Sequence, residues 1–523
     1  MKQTFQWDSG TALVNTSGGP VRGYRQNGLN IFKGIPYAKA RRFHAPEPAE
    51  KREDVFDAAS YGFVCPLLTN ERPSGELYVP HRYWPMDEDC LNLNVWTPGL
   101  DDGKRPVLVW LHGGGYEAGS SIEQAAYDGA NMARLGDAVV VSVNHRLNIL
   151  GYFDLSDFGE EYANSANAGT DDIIAALRWV HDNIAAFGGD PANVTLFGQS
   201  GGGAKVTTLL QTPAADGLYA RGINMSGVIG SMLADEKGSG REMAEALMRE
   251  LGLSSVRELE TVDYRLLAKA YLKLRPAFQK AGKYVGCKPH PNAFYAGDPC
   301  IAGFRKETAH IPLMVGSVFS EFFSFSPSPY DKASMTAEEQ EKTVRETLGG
   351  EGADALIPLF KKAYPERDIL DLLRLDFVFR GPEIDYIARR SALNGSTFSY
   401  LFNLDQPISG STTPWHCSDI PYVFHNIDLV EHTHRPDGDN TAYERVQEQV
   451  FASVMAFART GNPANDRLPG WQASSAGCEN TMVIGEACGV RQNFDHALIP
   501  AVLRYMAPVI ARQMAQGDAA IQH

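Results

Sequence analysis

Nowhere in the 523 residues does an uninterrupted apolar run approach the roughly 20 residues that span a bilayer, which argues against a transmembrane helix. Basic charge is also scarce. Lys and Arg number 48 against 63 Asp and Glu, a net charge of −15 with no long basic run, so electrostatic binding to nucleic acid or anionic lipid is not expected. Cysteines are few and odd in number, 7 in all, which suits a reduced compartment but leaves room for one or two bridges. The start, Met1 to Trp7, lacks the apolar core of a signal peptide. The expected location is therefore cytoplasmic, or secreted or periplasmic if a leader has been removed. No internal repeat, heptad array or long low-complexity linker is present, so neither a solenoid nor a coiled coil is expected.

What is present is ordinary globular material, 44% hydrophobic with 50 Gly and 30 Pro, ample for a large core. Length alone suggests about three or four domains, a prior that large α/β enzymes often break. The first half alternates strand and helix signals. Arg105–Leu111 and Ala138–Asn144 are short apolar runs, the second rich in β-branched residues. Between Thr170 and Phe187 the period becomes helical, with Ile173, Ile174, Leu177, Val180 and Ile184 on one face and Thr170 or Asp171 as N-cap. Strand signals return at Val194–Phe197, Gly222–Met225, Ile311–Val315 and Thr397–Phe402. This alternation predicts a mainly parallel sheet covered by helices. Residues 230–310 and 325–390 are expected as helical, irregular insertions rather than separate domains.

Gly198-Gln199-Ser200-Gly201-Gly202 follows an apolar β run and precedes a helix. That is the context of a G-x-S-x-G nucleophile elbow, in which a tight, strained turn exposes the serine at a helix N-terminus. A phosphate loop fits poorly, because Lys205 does not complete G-x-x-x-x-G-K-[ST]. His112-Gly113-Gly114-Gly115-Tyr116, directly after the strand ending at Leu111, supplies a loop able to turn amide N–H groups into one site. Acyl transfer needs such donors for its developing oxyanion. Gly114 and Gly115, with Gly201, are the candidates, and Gly113 is an alternative. A serine also needs a base and an orienting acid. Of the histidines that follow Ser200, local sequence favours His416, in a loop after the 397–402 strand, with His425 as its main competitor.

Taken together, these segments resemble the type-B carboxylesterases, the family that includes carboxylesterases, cholinesterases and some fungal lipases. The resemblance runs from about residue 10 to about residue 510. It is carried by Phe32–Ala38, Glu88–Val95, the glycine loop, Asn144–Leu147, Trp179–Asn193, the elbow, Pro312–Gly316 and Gly461-Asn462-Pro463. It implies one α/β-hydrolase domain over residues 1–523, with the two insertions forming a substrate gorge. It also implies that the triad acid is Glu321, five residues after Gly316; Asp405 and Asp419 are the rival acids. Ser226 aligns with a serine that supports the triad in the family. Cys65 and Cys90 match the family's first disulfide.

The expected activity is hydrolysis of small to medium, largely apolar carboxylic esters through Ser200, His416 and Glu321, by way of an acyl-enzyme. Its partners are an ester and water, with no metal and no organic cofactor. A lipase or amidase on the same fold, or a non-catalytic binding module, are the alternatives. Two departures from the family stand out. Gln199 replaces the glutamate found before the nucleophile in cholinesterases and many carboxylesterases, which weakens a choline-ester reading. Phe322 replaces the glycine that usually follows the acid. Gln199, Phe319 and Phe322 are expected in the substrate pocket, with Phe323 and Phe325 as further aromatic candidates. Cys417 is either a lining thiol or packing, and the role of the family's cation-binding tryptophan is not transferred to Trp84.

Overall fold

The structure, a computed structural model, describes residues 4–521 except 9, 70–80, 229, 231–237, 326–327, 394, 408–411, 431–432, 435–437 and 469. Its centre is a 12-stranded sheet. In chain order the strands are β1 (Phe5–Gln6), β2 (Tyr24–Gln26), β3 (Leu29–Pro36), β4 (Asn92–Thr97), β5 (Arg105–Leu111) and β6 (Val139–Val143). They continue with β7 (Gly189–Gln199), β8 (Arg221–Met225), β9 (Leu313–Val318), β10 (Thr397–Phe402), β11 (Asn480–Ile484) and β12 (Gly489–Gln492). In space they lie in the order β1-β2-β3-β4-β6-β5-β7-β8-β9-β10-β11-β12. From β6 across to β11 every neighbouring pair is parallel; β1 to β4 and β12 join antiparallel.

The apolar runs explain this placement. Strands β5 and β6, and β7 over Val194–Phe197, are largely apolar because both their faces are covered. Along β5, Val107, Val109 and Leu111 enter one core, while Leu108 and Trp110 enter the other. The first core is closed by helix α1 (Ala168–Asn183), with Ile173, Ile174, Leu177 and Val180. Helix α2 (Gly201–Leu210) packs in the same layer and is buried along its whole length.

Helices α3 (Arg241–Leu251) and α4 (Tyr264–Lys280) share a separate apolar cluster with Phe43, Phe153 and Tyr162. Helix α5 (Ala337–Ala363), bent at Gly349, packs with α8 (Leu498–Ile521) over Phe319 and Leu401. Between them in sequence lie α6 (Arg380–Leu393) and α7 (Thr441–Thr460), the latter covering the second core through Val446, Val454 and Phe457. Among the described residues, no strand of the central sheet falls within 230–310 or 325–390. Residues 231–237, 326 and 327 of those ranges lie outside the described residues. Within the described residues no helix is long and apolar enough to cross a membrane.

Candidate active site

Strand β7 ends at Gln199 and α2 begins at Gly201, so Ser200 alone makes the turn. It does so at φ 57°, ψ −125°, a backbone conformation that typically costs about 1–3 kcal/mol. Glycines let the turn close. A Cβ on Gly202 would stand 1.9 Å from the carbonyl oxygen of Leu111, and one on Gly201 2.1 Å from that of Gly115. The Ser200 N–H donates to the carbonyl of Met225, the last residue of β8, at 2.8 Å. The sheet thus holds the strained residue in place, with Ser200 only 5% exposed.

Leaving β5, the chain enters His112-Gly113-Gly114-Gly115, where Gly114 and Gly115 take φ of 80° and 63°. The first three carbonyls of this loop are tied down. His112 O accepts from Lys205 Nζ at 2.9 Å, and Gly113 O from His112 Nδ1 at 2.9 Å. Gly114 O accepts from the N–H groups of Ala118 and Glu117, at 3.0 and 3.3 Å. Among the described residues the N–H groups of Gly114 and Gly115 have no protein acceptor, and Gly201, first in its helix, has none within α2.

His416 comes from the loop after β10, and the structure brings it against Glu321. Its Nδ1 is hydrogen-bonded to Glu321 Oε2, while its own backbone N–H donates to Glu321 O at 3.1 Å. The other carboxylate oxygen, Oε1, accepts from Ser226 Oγ at 2.7 Å and from the Val318 N–H at 2.9 Å. Ser226 in turn donates its N–H to Gly316 O at 2.6 Å, so the serine is locked to the strand that presents the acid. His416, Glu321 and Ser226 are fully buried.

Both departures from the family pattern meet on His416. The ring of Phe322 lies 4.2 Å from the imidazole, centre to centre, at 31°, and Phe379 lies 5.2 Å away at 39°. Gln199 Nε2 stands 3.4 Å from His416 Nδ1 and 3.3 Å from Nε2. In the ring plane, near-equal distances would drive it into the carbon between those nitrogens. The amide nitrogen therefore sits over a ring face, and since Phe322 occupies one face, Gln199 takes the other. Cys417 Sγ donates to Gln199 Oε1 at 3.1 Å, which turns the amide N–H₂ toward the imidazole. Gln199 is thus a neighbour of the histidine, fully buried, rather than a pocket wall.

Other candidates are not gathered. Phe319 is corrected from pocket to core: it packs on Phe360 and Tyr364 beneath the Arg367 guanidinium, because the chain leaving β9 turns this side chain into the apolar cluster under α5. Phe322, by contrast, is 47% exposed. Phe323 packs on Phe377, and Phe325 lies near Trp415. Asp405 pairs with Arg367 at 2.8 Å and His425 with Glu448 at 2.9 Å. Trp84 stands edge-on to Tyr61. Cys65 and Cys90 are adjacent, yet both are free buried thiols, a correction to the disulfide implied by resemblance. Other bonds tie down the Cys65 side: Leu147 N–H donates to Cys65 Sγ, and Val64 pairs with Met86. The hydrogen bond that the Cys90 thiol makes to Cys65, together with burial, holds Cys90 well above its usual value.

Around the site stand Asp419, a rival acid in the sequence, His112 of the glycine loop, and Asp376, His145 and Lys205, which gave little signal there. Asp376 and Asp419 are both pushed up to about 7, first by burial and also by the negative charge of Glu321. Asp376 accepts the N–H groups of Phe379 and Arg380, at 2.9 and 3.0 Å; Asp419 accepts the Tyr400 hydroxyl at 2.9 Å. His112 and His145 stack at 5.1 Å and are held well below the usual imidazole range, by burial first and then by the charge of Lys205. Lys205 itself is buried. Its one signal is a lysine on a helix with no solvent face.

The chain matches the carboxylesterase family over residues 10–497. It is 32% identical to the para-nitrobenzyl esterase of Bacillus subtilis (strain 168) over 481 residues, covering 90% of this chain and 94% of that one. It is also 32% identical over 490 residues to a phenmedipham hydrolase of Pseudarthrobacter oxydans, covering 91% and 95% of the two chains. Among solved structures it is similar to an esterase from anaerobic Clostridium hathewayi described as able to hydrolyse aliphatic aromatic polyesters. That match has a TM-score of 0.92 and 49% identity, and covers 96% of this chain and 100% of that one.

Proposed function

This chain belongs to the carboxylesterase family and hydrolyses carboxylic esters, and on that premise we propose that Ser200, His416 and Glu321 form its catalytic triad. The observation that carries the reading is the clamp on one carboxylate. Glu321 holds His416 with one oxygen and is itself held by Ser226 and Val318 through the other, at the same sheet edge as the strained Ser200. The imidazole removes the Ser200 proton as Oγ attacks the ester carbonyl. Glu321 keeps the ring in one tautomer and stabilises its cationic form. The N–H groups of Gly114, Gly115 and Gly201 receive the oxyanion; Gly113 is the alternative donor. The histidine then protonates the departing alcohol, and water attacks the acyl-enzyme by the same route in reverse.

Small to medium apolar esters suit the surroundings of His416. Phe322 and Phe379 present aromatic rings beside it, with Phe322 half open to solvent and backed by Phe325. An aromatic wall favours aryl groups. The polyester activity ascribed to the Clostridium hathewayi protein extends the proposal to aliphatic aromatic polyesters. The segments 230–310 and 325–390 roof the site within one α/β-hydrolase unit. Phe379 reaches His416 from the second, and Arg275 of the first pairs with Glu117 beside the glycine loop at 2.6 Å.

One experiment tests the whole reading: wild type and Ser200→Ala on p-nitrophenyl acyl esters of increasing length, a matching amide, and an aliphatic aromatic polyester film. Loss of about 10⁴-fold or more in kcat for every substrate the wild type cleaves is expected of Ser200→Ala. Undiminished turnover by the variant overturns the proposal.

A further inference from the structure

Helix α2 starts at the nucleophile and has no solvent face, yet carries a lysine in its second turn. Lys205 is 1% exposed. A buried ammonium group is costly unless its hydrogen bonds are well met, so its placement calls for a role. Side chains on a helix lean toward the N-terminus, and the Lys205 stem accordingly runs back along α2 toward the Ser200 end. There Nζ donates to the carbonyl of His112 at 2.9 Å.

That carbonyl belongs to the peptide linking His112 to Gly113. In a planar trans peptide the C=O and the following N–H point in opposite directions. Fixing the His112 carbonyl toward α2 therefore fixes where the Gly113 N–H points. The next two carbonyls are held from within the loop's own neighbourhood, Gly113 O by His112 Nδ1 and Gly114 O by Ala118 and Glu117. Only the first is held from the helix that bears the nucleophile. A Cβ on Gly113 would lie 3.5 Å from Ser200 Cβ, so the peptide that Lys205 orients stands directly beside the reacting serine.

We propose that Lys205 is a positioning residue for the oxyanion loop: its bond to the His112 carbonyl sets the orientation of the Gly113 amide, where the glycine loop begins, relative to Ser200. This rests on reading that loop as the oxyanion hole. The stacked His112 and His145 stay neutral under burial and the nearby positive charge, so they add no competing cations. The arrangement ties the start of the loop to the helix of the nucleophile through one side chain, so that movement of α2 carries both.

The test compares wild type with Lys205→Met, which keeps the stem and removes the donor, and with Lys205→Gln, which keeps a shorter donor. Active sites are counted by titration with a fluorophosphonate, so that rates refer to folded, competent molecules. For Lys205→Met, kcat on p-nitrophenyl butyrate is expected to fall about 10- to 100-fold with KM within about 2-fold, because donor alignment matters most once the oxyanion forms. Affinity for a trifluoromethyl ketone, whose adduct with serine is a tetrahedral oxyanion, should fall by the same factor. Lys205→Gln should recover part of both losses. A per-site kcat within 2-fold of wild type overturns the proposal, however much protein fails to fold. So does a fall in kcat without loss of ketone affinity. His416→Gln is run alongside: if it retains activity, the triad reading beneath the proposal fails; if it is inactive while the Lys205 variants are unaffected, only the proposal fails.

Discussion

At the scale of single residues, His416 is gripped on both faces by residues that depart from the family pattern, the Phe322 ring and the Gln199 amide. Both are uncharged. The ionisable groups around the imidazole are Glu321, hydrogen-bonded to it, the nearby Asp419, and the Cys417 thiol behind Gln199. Converting Gln199 to glutamate would place a carboxylate against the ring, and a negative charge at that distance favours the imidazolium. The acid limb of the kcat/KM profile of Gln199→Glu is therefore expected to move up by about 1 pH unit, with activity at high pH largely kept. A pH series on p-nitrophenyl butyrate checks this, and an unmoved limb means that the amide does not face the base. The proposed triad of Ser200, Glu321 and His416 comes from motif and resemblance, which name these residues by position. The fates of Phe319 and Phe322 were not legible. Both are aromatic residues leaving one strand, and only the backbone turn at Glu321, φ 44°, decides which enters the core. Lys205 was illegible for the opposite reason: lysine is the residue least expected inside, so its burial had no pattern to announce it.

Among the elements, the parallel strands β7, β8 and β9 end near the site, and non-glycine residues with positive φ follow each end: Ser200 after β7, Ser226 after β8 and Glu321 after β9, at 57°, 48° and 44°. Cys417, after His416, is a fourth at 80°. Strain gathered this way marks where regular structure gives way to chemistry. The strand and helix cores were readable from periodicity, while their ends were not. Strand β7 begins at Gly189 rather than near Val194, and the 170–187 helix becomes α1 at 168–183 followed by one tight turn over Ile184–Phe187. Strands β1 to β4, β11 and β12 went unread; for β1 and β2 two or three residues give too short an alternation to register. The loop between Cys65 and Cys90 supports a prediction of its own. If hydrogen bonds and packing close it, as the paired thiols indicate, thermal unfolding with and without dithiothreitol should coincide within about 1 °C. A fall of several degrees in reductant would reveal a bridge, since losing a native disulfide typically costs about 2–5 kcal/mol.

For the molecule as a whole, the acids packed around the triad govern how stability responds to pH. Asp376 and Asp419 are pushed up to about 7 and Glu383 to about 8, in each case by burial first. Unfolded carboxyls titrate near 4. Between about pH 4 and these raised values the folded chain keeps protons that the unfolded chain has released, so stability from these groups is full below about pH 4 and falls as pH rises toward 7 or 8. Glu479 works the other way. Burial opposes its ionisation, but Arg380, His496 and Ser399 outweigh that and hold it below the usual range, so its contribution is lost as pH falls below about 4. Between the two effects, stability should peak in mildly acidic solution. A histidine base needs the opposite, since it must be neutral to accept the serine proton. Raising the pH therefore frees the base while it loosens the fold around it, and the two optima should lie apart. Asp419 isolates one part of this balance, because its Oδ2 meets the Tyr400 hydroxyl and it makes no ion pair in the described structure. Asp419→Asn keeps the shape and cannot ionise. Urea unfolding at about pH 5.5 and about pH 8 should show the variant losing roughly 2 kcal/mol less than wild type between the two. Equal losses in both proteins would mean that Asp419 does not hold its proton in the folded state.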